Sequence, residues 1–156
     1  MTWRADPLTW GHGPRLFEMF LEPTCPFSVR AYGKIDETLG TAGEDRITLK
    51  IRLQSQPWHM YSGVVTRCVI AASTLPEGKA AARRALAAVA EHRDEFEFEK
   101  HAGGANMNAT PREIVERLEA YSGLALAEAF AMIGAGGIVD GKTIMLLQWA
   151  VMKYGL

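Results

Sequence analysis

Two strand-forming segments on either side of a helical segment constrain the fold of this chain more than any other feature. Residues 46–53 alternate apolar and polar side chains without interruption, as expected of a strand with one buried face. Residues 15–21 form a second run, rich in aliphatic and aromatic side chains, that ends at Glu22-Pro23. Between them, residues 26–39 carry apolar side chains at helical spacing. The pattern therefore predicts a βαβ unit, in which parallel pairing and a right-handed crossover are strongly favoured.

Most of the chain after the second strand has a helical pattern. The best-marked start is Thr110-Pro111-Arg112-Glu113, a capping box with proline at the first helical position. The other segments are assigned from apolar spacing and from glycine and proline positions: an irregular lead-in over 1–14, helices over 64–75, 79–100, 124–133 and 143–153, and a hairpin turn over 139–142 as an alternative near the end.

Composition describes an ordinary globular chain. It has 156 residues with 48% hydrophobic and 22% charged side chains, so we expect one domain over residues 1–156 with a single core. Its 17 basic and 18 acidic side chains nearly cancel, which gives no electrostatic reason to expect nucleic acid or an anionic membrane as a partner. The N-terminal residues lack the apolar segment of a secretory signal, and two cysteines are too few for a disulfide framework. We therefore expect a cytoplasmic protein.

Residues 91–100 are strongly charged and contain His92 beside the acidic side chains of Asp94, Glu95, Glu97 and Glu99. None of the possible pairs has the close His and carboxylate spacing of a metal motif. The segment is therefore interpreted as the solvated face of a helix, and no metal site is expected.

Cys25 is the residue with the clearest chemical potential, because it directly follows a predicted strand and begins a predicted helix. Unpaired backbone N–H groups and the positive end of the helix dipole stabilise a thiolate at such a position. Pro26 fixes the first turn, and the Ser28 hydroxyl lies where it can donate to the sulfur. Cys25 and Ser28 are therefore candidate catalytic residues, with a buried structural cysteine as the alternative. Cys68, on the apolar side of a helix, is assigned to the core.

The strand, the Cys25-Pro26-Phe27-Ser28 turn and the helix after it resemble the active-site element of the thioredoxin superfamily. The loop over residues 54–59 and the long helical stretch after it indicate one particular group within that superfamily. They resemble the DsbA-like group, which includes kappa-class glutathione transferases and 2-hydroxychromene-2-carboxylate isomerases. The resemblance covers residues 15–156. It implies an α/β fold with a thioredoxin-like βαβ half over 15–57 and a large all-helical subdomain over 60–156.

The sequence departs from that family in two ways. Ser28 stands where dithiol members have a second cysteine, so a redox disulfide cannot form within the turn. The last proline is Pro111, whereas the family places a cis-proline and a final ββα element after its helical region. Three interpretations are open: a truncated version of the fold, a sequence shorter than the full gene product, or a different alignment of the last helix. Without the element, a two-stranded sheet would have an exposed edge that favours pairing into a homodimer.

The resemblance implies a thiol–disulfide oxidoreductase of the protein-disulfide isomerase type that uses Cys25 alone and binds no cofactor. Its substrates would be protein or small-molecule disulfides, with glutathione as the thiol that resolves the mixed disulfide. The substrate-binding residues that it implies are Thr24, Pro26, Phe27, Trp58 and His59.

Two other functions fit the same residues. One is a glutathione-dependent isomerase or transferase in which Cys25 or Ser28 orients the glutathione sulfur. The other is a non-catalytic thioredoxin-like binding domain. For His59, a local hydrogen bond or a cap on the next helix is the alternative to a place in the site.

Overall fold

The computed structural model describes residues 5–97 and 108–134. Its elements, in chain order, are β1 (Thr9–Gly11), β2 (Arg15–Leu21), α1 (Pro26–Tyr32), α2 (Ile35–Ala42), β3 (Ile47–Leu53), α3 (Ser62–Ala72), α4 (Lys79–Glu91), a short 3₁₀ helix (Arg93–Phe96), α5 (Pro111–Ser122) and α6 (Ala127–Gly134). The predicted helix over 143–153 and the alternative turn over 139–142 lie outside the described residues.

The strands form one sheet in the order β1-β3-β2. β2 runs parallel to β3 along its whole length, from Arg15 opposite Ile47 to Leu21 opposite Leu53, so the predicted βαβ unit is confirmed. The predictions of an irregular lead-in and a two-stranded sheet were wrong, because β1 pairs antiparallel with the other side of β3. Three residues are too few to show a strand period, and pairing with β3 creates this strand.

The described helical segments depart most from prediction at two points. The predicted helix over 26–39 is divided into α1 and α2, because the amide of Lys34 bonds to the carbonyl of Ala31 at 3.0 Å and closes a tighter turn. The predicted helix over 79–100 ends at Glu91, and the chain turns into the 3₁₀ helix. This turn allows the Phe96 ring to enter the core, where it is fully buried.

The core is one cluster of buried side chains, drawn mainly from β3 and from helices α2 to α6. β3 contributes alternate buried side chains at Leu49, Ile51 and Leu53, as its sequence pattern predicts. Helix α3 packs against α4, α5 and α6, and Cys68 on α3 is completely buried, which confirms its assignment to the core. β2 lies at the sheet edge and exposes large apolar side chains, including Phe17 and Phe20. Within the described ranges, no helix has both the length and the apolar character needed to span a bilayer.

The predicted capping box at the start of α5 is confirmed. The Thr110 hydroxyl accepts from the Glu113 amide at 3.3 Å, and the Glu113 carboxylate accepts from the Thr110 amide at 2.6 Å. The helix ends at Gly123, whose φ of 67° is left-handed and favours glycine. The hydrogen bond from the Thr110 backbone, followed by that from its hydroxyl, lowers the pKa of Glu113.

Replacing Thr110 with alanine is expected to lower the free energy of unfolding by about 1 kcal/mol, because the first turn loses its side-chain acceptor. Thr110→Ser keeps the acceptor, so its free energy of unfolding should be close to that of the unchanged protein. Ionised Glu113 stabilises the helix start at pH values above the usual glutamate pKa. This stabilisation is lost as the pH falls through the lowered pKa of Glu113, so the stability difference between the alanine variant and the unchanged protein should shrink in acid. Urea unfolding at neutral and acidic pH measures both effects, and equal stability of the alanine and serine variants would contradict the capping role.

Candidate active site

The turn between β2 and α1 holds Cys25 at the start of the helix, as predicted. Cys25 is the N-cap residue with extended backbone (φ −73°, ψ 127°), and its carbonyl accepts the Val29 amide at 2.9 Å. Pro26 follows as the first helical residue. Among the described residues, no acceptor is found for the amides of Phe27 and Ser28, so both remain available in the first turn. The Cys25 side chain makes no capping hydrogen bond and is partly exposed.

Ser28 ties the first turn of α1 back to the end of β2. Its hydroxyl oxygen accepts the Glu22 amide at 3.1 Å. A bond from Ser28 to the Cys25 sulfur, which the sequence predicted, is not among the hydrogen bonds of the described residues. The observed role of Ser28 is therefore to hold the turn closed.

Glu22 is a fully buried acidic residue that organises this turn. Its carboxylate accepts from the Thr24 amide at 3.1 Å and from the Thr24 hydroxyl at 3.0 Å, and its carbonyl accepts the Cys25 amide at 3.1 Å. Thr24 is fully buried as well, so the side chain of this predicted substrate-binding residue points into the protein. Both residues fix the backbone on which Cys25 stands.

His59 lies beneath the turn, between two buried carboxylates. Its Nδ1 is 2.7 Å from Glu97 Oε1, and its Nε2 is 3.7 Å from Glu22 Oε2. The alternative interpretation, a local hydrogen bond or a helix cap, was wrong, since these partners are distant in the chain and α3 has no side-chain cap at its start. Arg93 completes the cluster, with one guanidinium nitrogen 3.4 Å from the Thr24 carbonyl and 3.7 Å from Glu97 Oε1.

Glu97 corrects the interpretation of residues 91–100 as a solvated helix face. Its carboxylate is almost fully buried, because α4 ends at Glu91 and the 3₁₀ helix carries Arg93 and Glu97 back toward His59. One sequence signal for this arrangement was the spacing of four residues between Arg93 and Glu97, which allows an ion pair. The predicted helix through this segment would have placed that pair on the surface, so the signal did not indicate burial. Glu22 was not predicted to be a site residue, because from sequence it was interpreted only as the residue at which the strand ends.

Three large apolar side chains are exposed in the segments that carry Cys25 and His59. Phe27 is 71% exposed, Trp58 67% and Met60 55%. Phe27 belongs to the first turn of α1, and Trp58 and Met60 flank His59 in the loop after β3. Phe27 and Trp58 are thus accessible, as a substrate-binding role requires, and Met60 joins them although the sequence did not single it out.

The two cysteines occupy opposite environments, and both are free thiols. Burial raises the pKa of Cys68 to about 12, so its thiol stays protonated in neutral solution. Cys25 is partly exposed at a helix start. In the part of the chain that the structure describes, no group of three or more histidine, cysteine or acidic side chains is arranged to hold a metal ion.

One solved structure is closely similar to this chain. It is the crystal structure, at 2.5 Å, of a protein from Pseudomonas syringae described as a putative protein-disulfide isomerase. The two are 56% identical with a TM-score of 0.82, and the match covers 97% of this chain and 82% of that one. No family model matches the chain, and no curated protein is similar to it. The likeness confirms the predicted α/β fold, thioredoxin-like with a helical insertion.

Proposed function

Because this chain belongs to the family of the Pseudomonas syringae protein, we propose that it is a thiol–disulfide oxidoreductase and that Cys25 alone carries the reaction. The observation that supports Cys25 most strongly is its position. It is partly exposed, it begins a helix, and two amides of that helix turn are available to stabilise a sulfur anion. Cys68 is an unsuitable nucleophile, because it is buried and protonated.

In the proposed reaction, the Cys25 thiolate attacks one sulfur of a substrate disulfide. A Cys25–sulfur bond forms, the substrate S–S bond breaks, and the departing thiolate takes up a proton. A glutathione thiolate then attacks the mixed disulfide and releases Cys25 as a thiolate. For a glutathionylated substrate, the net reaction converts one glutathione and the substrate–glutathione disulfide into the substrate thiol and oxidised glutathione.

Ser28 supports the need for an external thiol. It occupies the position from which a second cysteine of the turn would attack, and its hydroxyl is engaged with the Glu22 amide. An intramolecular disulfide at this turn is therefore not available. Glutathione is the proposed resolving thiol, since a monothiol site depends on a small thiol from solution.

The exposed apolar side chains support a polypeptide substrate. Phe27 lies two residues after Cys25, and Trp58 and Met60 flank His59; these exposed apolar side chains suit the apolar segments that flank a disulfide in an incompletely folded chain. Ser28 also borders a small cleft, with room for about one water molecule, whose lining includes Val29, Tyr32 and Leu86. That lining offers no charged partner for the carboxylates of glutathione, so we propose that glutathione approaches from solution.

The test follows turnover of a mixed disulfide between glutathione and 2-mercaptoethanol in the presence of excess glutathione. We expect oxidised glutathione to form at a rate proportional to the protein concentration. Without free glutathione, the reaction should stop with a single glutathione attached to Cys25. The proposed function would be overturned if oxidised glutathione formed no faster with the protein, at every concentration tested, than without it.

A further inference from the structure

Arg30 is an exposed cation that lies against the helix turn next to Cys25. It belongs to α1, and its Nε donates to the Pro26 carbonyl at 3.4 Å. Its guanidinium carbon is 4.9 Å from the centre of the Phe27 ring, a cation–π distance. Pro26 and Phe27 are the first two residues of the helix and directly follow Cys25. The guanidinium therefore lies beside the turn that carries the proposed nucleophile.

The positive charge of Arg30 has no carboxylate partner in the part of the chain that the structure describes. Elsewhere an equally exposed arginine has one, as Arg112 pairs with Glu116 at 2.7 Å. The first turn of α1 contains no acidic residue. The Glu22 carboxylate is fully buried and accepts from Thr24, so it does not face the solvent side of the helix. The surface beside the turn therefore carries a positive charge that no neighbouring carboxylate neutralises.

The free donors of Arg30 suit a carboxylate. A guanidinium has five N–H groups, and the Pro26 carbonyl takes only the one on Nε. Among the described residues, the two terminal nitrogens find no acceptor. A planar guanidinium binds a carboxylate through a forked pair of N–H groups, which a ring contact with Phe27 holds in place.

Glutathione, the proposed resolving thiol, brings such a carboxylate close to its sulfur. Its glycine carboxylate belongs to the residue directly after the cysteine, a backbone span of about 3.5 Å. The small cleft beside Ser28 has no charged side chain in its lining, and Arg30 does not line it. Arg30 is therefore a charged partner that a thiol arriving from solution meets outside the cleft.

We propose that Arg30, held against Phe27, is a substrate-binding residue that receives the glycine carboxylate of glutathione when glutathione resolves the mixed disulfide. In this step the glutathione thiolate attacks the outer sulfur of the mixed disulfide and forms a new S–S bond to it. The bond from that sulfur to Cys25 breaks, and its electron pair leaves on the Cys25 sulfur. The inference rests on the proposed function in one respect, the formation of a mixed disulfide at Cys25.

The first test compares alkylation of Cys25 by iodoacetate, an anion, with alkylation by neutral iodoacetamide at pH 7. In Arg30→Gln, the iodoacetate rate divided by the iodoacetamide rate should fall about threefold at low salt, the effect of one charge several ångströms away in water. The fall should disappear at 1 M salt, where the screening length is about 3 Å. The ratio removes any common change in the reactivity of the sulfur.

Arg15→Gln is the matched control for the loss of charge. Arg15 is exposed and lies at the far end of β2, a strand of seven residues that spans about 20 Å. The variant has the same net charge as Arg30→Gln, and its alkylation ratio should equal that of the unchanged protein. An equal fall in both variants would overturn the local role of Arg30.

The second test measures release of Cys25 from its mixed disulfide by glutathione and by glutathione diethyl ester, which has no free carboxylate. In Arg30→Gln, the glutathione rate divided by the ester rate should fall about threefold to fivefold, the range of an exposed ion pair. Arg30→Lys keeps the charge without the fork, so its ratio should lie between the other two. Urea unfolding identifies any variant whose rates change through loss of the fold.

The outcomes separate this inference from the proposed function. An unaltered ratio of glutathione to ester in Arg30→Gln would overturn the role of Arg30, even if Cys25 exchanges disulfides rapidly. Failure of the unchanged protein to form a mixed disulfide at Cys25 would overturn the proposed function. In that case the alkylation ratios would still decide whether Arg30 attracts a carboxylate to this turn.

Discussion

Cys25→Ser is expected to abolish thiol exchange, with turnover of the glutathione mixed disulfide falling to the uncatalysed rate. A serine hydroxyl does not ionise near neutral pH and cannot form the mixed disulfide on which the reaction depends. Cys68→Ser, the matched control, should keep its activity, because Cys68 is buried and protonated. Both variants are measured by the formation of oxidised glutathione at equal concentrations of folded protein.

Two results would contradict this expectation in different ways. Activity retained in Cys25→Ser would favour a glutathione-dependent isomerase or transferase, in which a hydroxyl at this position can still orient the glutathione sulfur. Activity lost in Cys68→Ser with the fold intact would mean that the core thiol takes part in exchange. Neither result agrees with a reaction carried by Cys25 alone.

Leu49→Ala is expected to lower the free energy of unfolding by about 2–5 kcal/mol, the cost of truncating a fully buried leucine. Leu49 lies in the central strand, opposite Trp10 of β1 on one side and Phe17 of β2 on the other. The control is Leu16→Ala on the edge strand, where the side chain is 60% exposed and its loss should cost less than about 1 kcal/mol. Urea unfolding measures both variants.

The two leucines test the description of the sheet. Equal costs at positions 49 and 16 would mean that β2 is covered as fully as β3, which disagrees with the edge position of β2. A small cost at Leu49 would place the core elsewhere than between β3 and the helices. A large cost at Leu49 with a small cost at Leu16 supports the strand order β1-β3-β2.

The elements that sequence predicted well are those whose signals are local. Residues 46–53 alternate because one face of β3 is buried, and that periodicity is visible without any knowledge of the neighbours. The capping box at Thr110 is equally local, since both of its hydrogen bonds join residues three apart. Cys25 and Pro26 were placed correctly for the same reason, as a strand end followed by a helix start.

The features that sequence missed depend on contacts between distant segments. β1 has three residues and exists through its pairing with β3. Glu97 was assigned to solvent because its local pattern is charged, and its burial follows from where α4 ends and from a bond to His59, 38 residues away. The cluster beneath Cys25 combines Glu22, His59 and Glu97 from three separate parts of the chain, a combination that no local pattern shows.

The most direct test of the account is the rate at which iodoacetamide modifies the native protein at pH 7, with the modified residue located by mass spectrometry. We expect Cys25 to react faster than the thiol of glutathione under the same conditions, because the helix start stabilises its thiolate. Cys68 should remain unmodified until the chain is unfolded. A Cys25 that reacts no faster than glutathione, or modification of Cys68 in the native protein, would contradict the account.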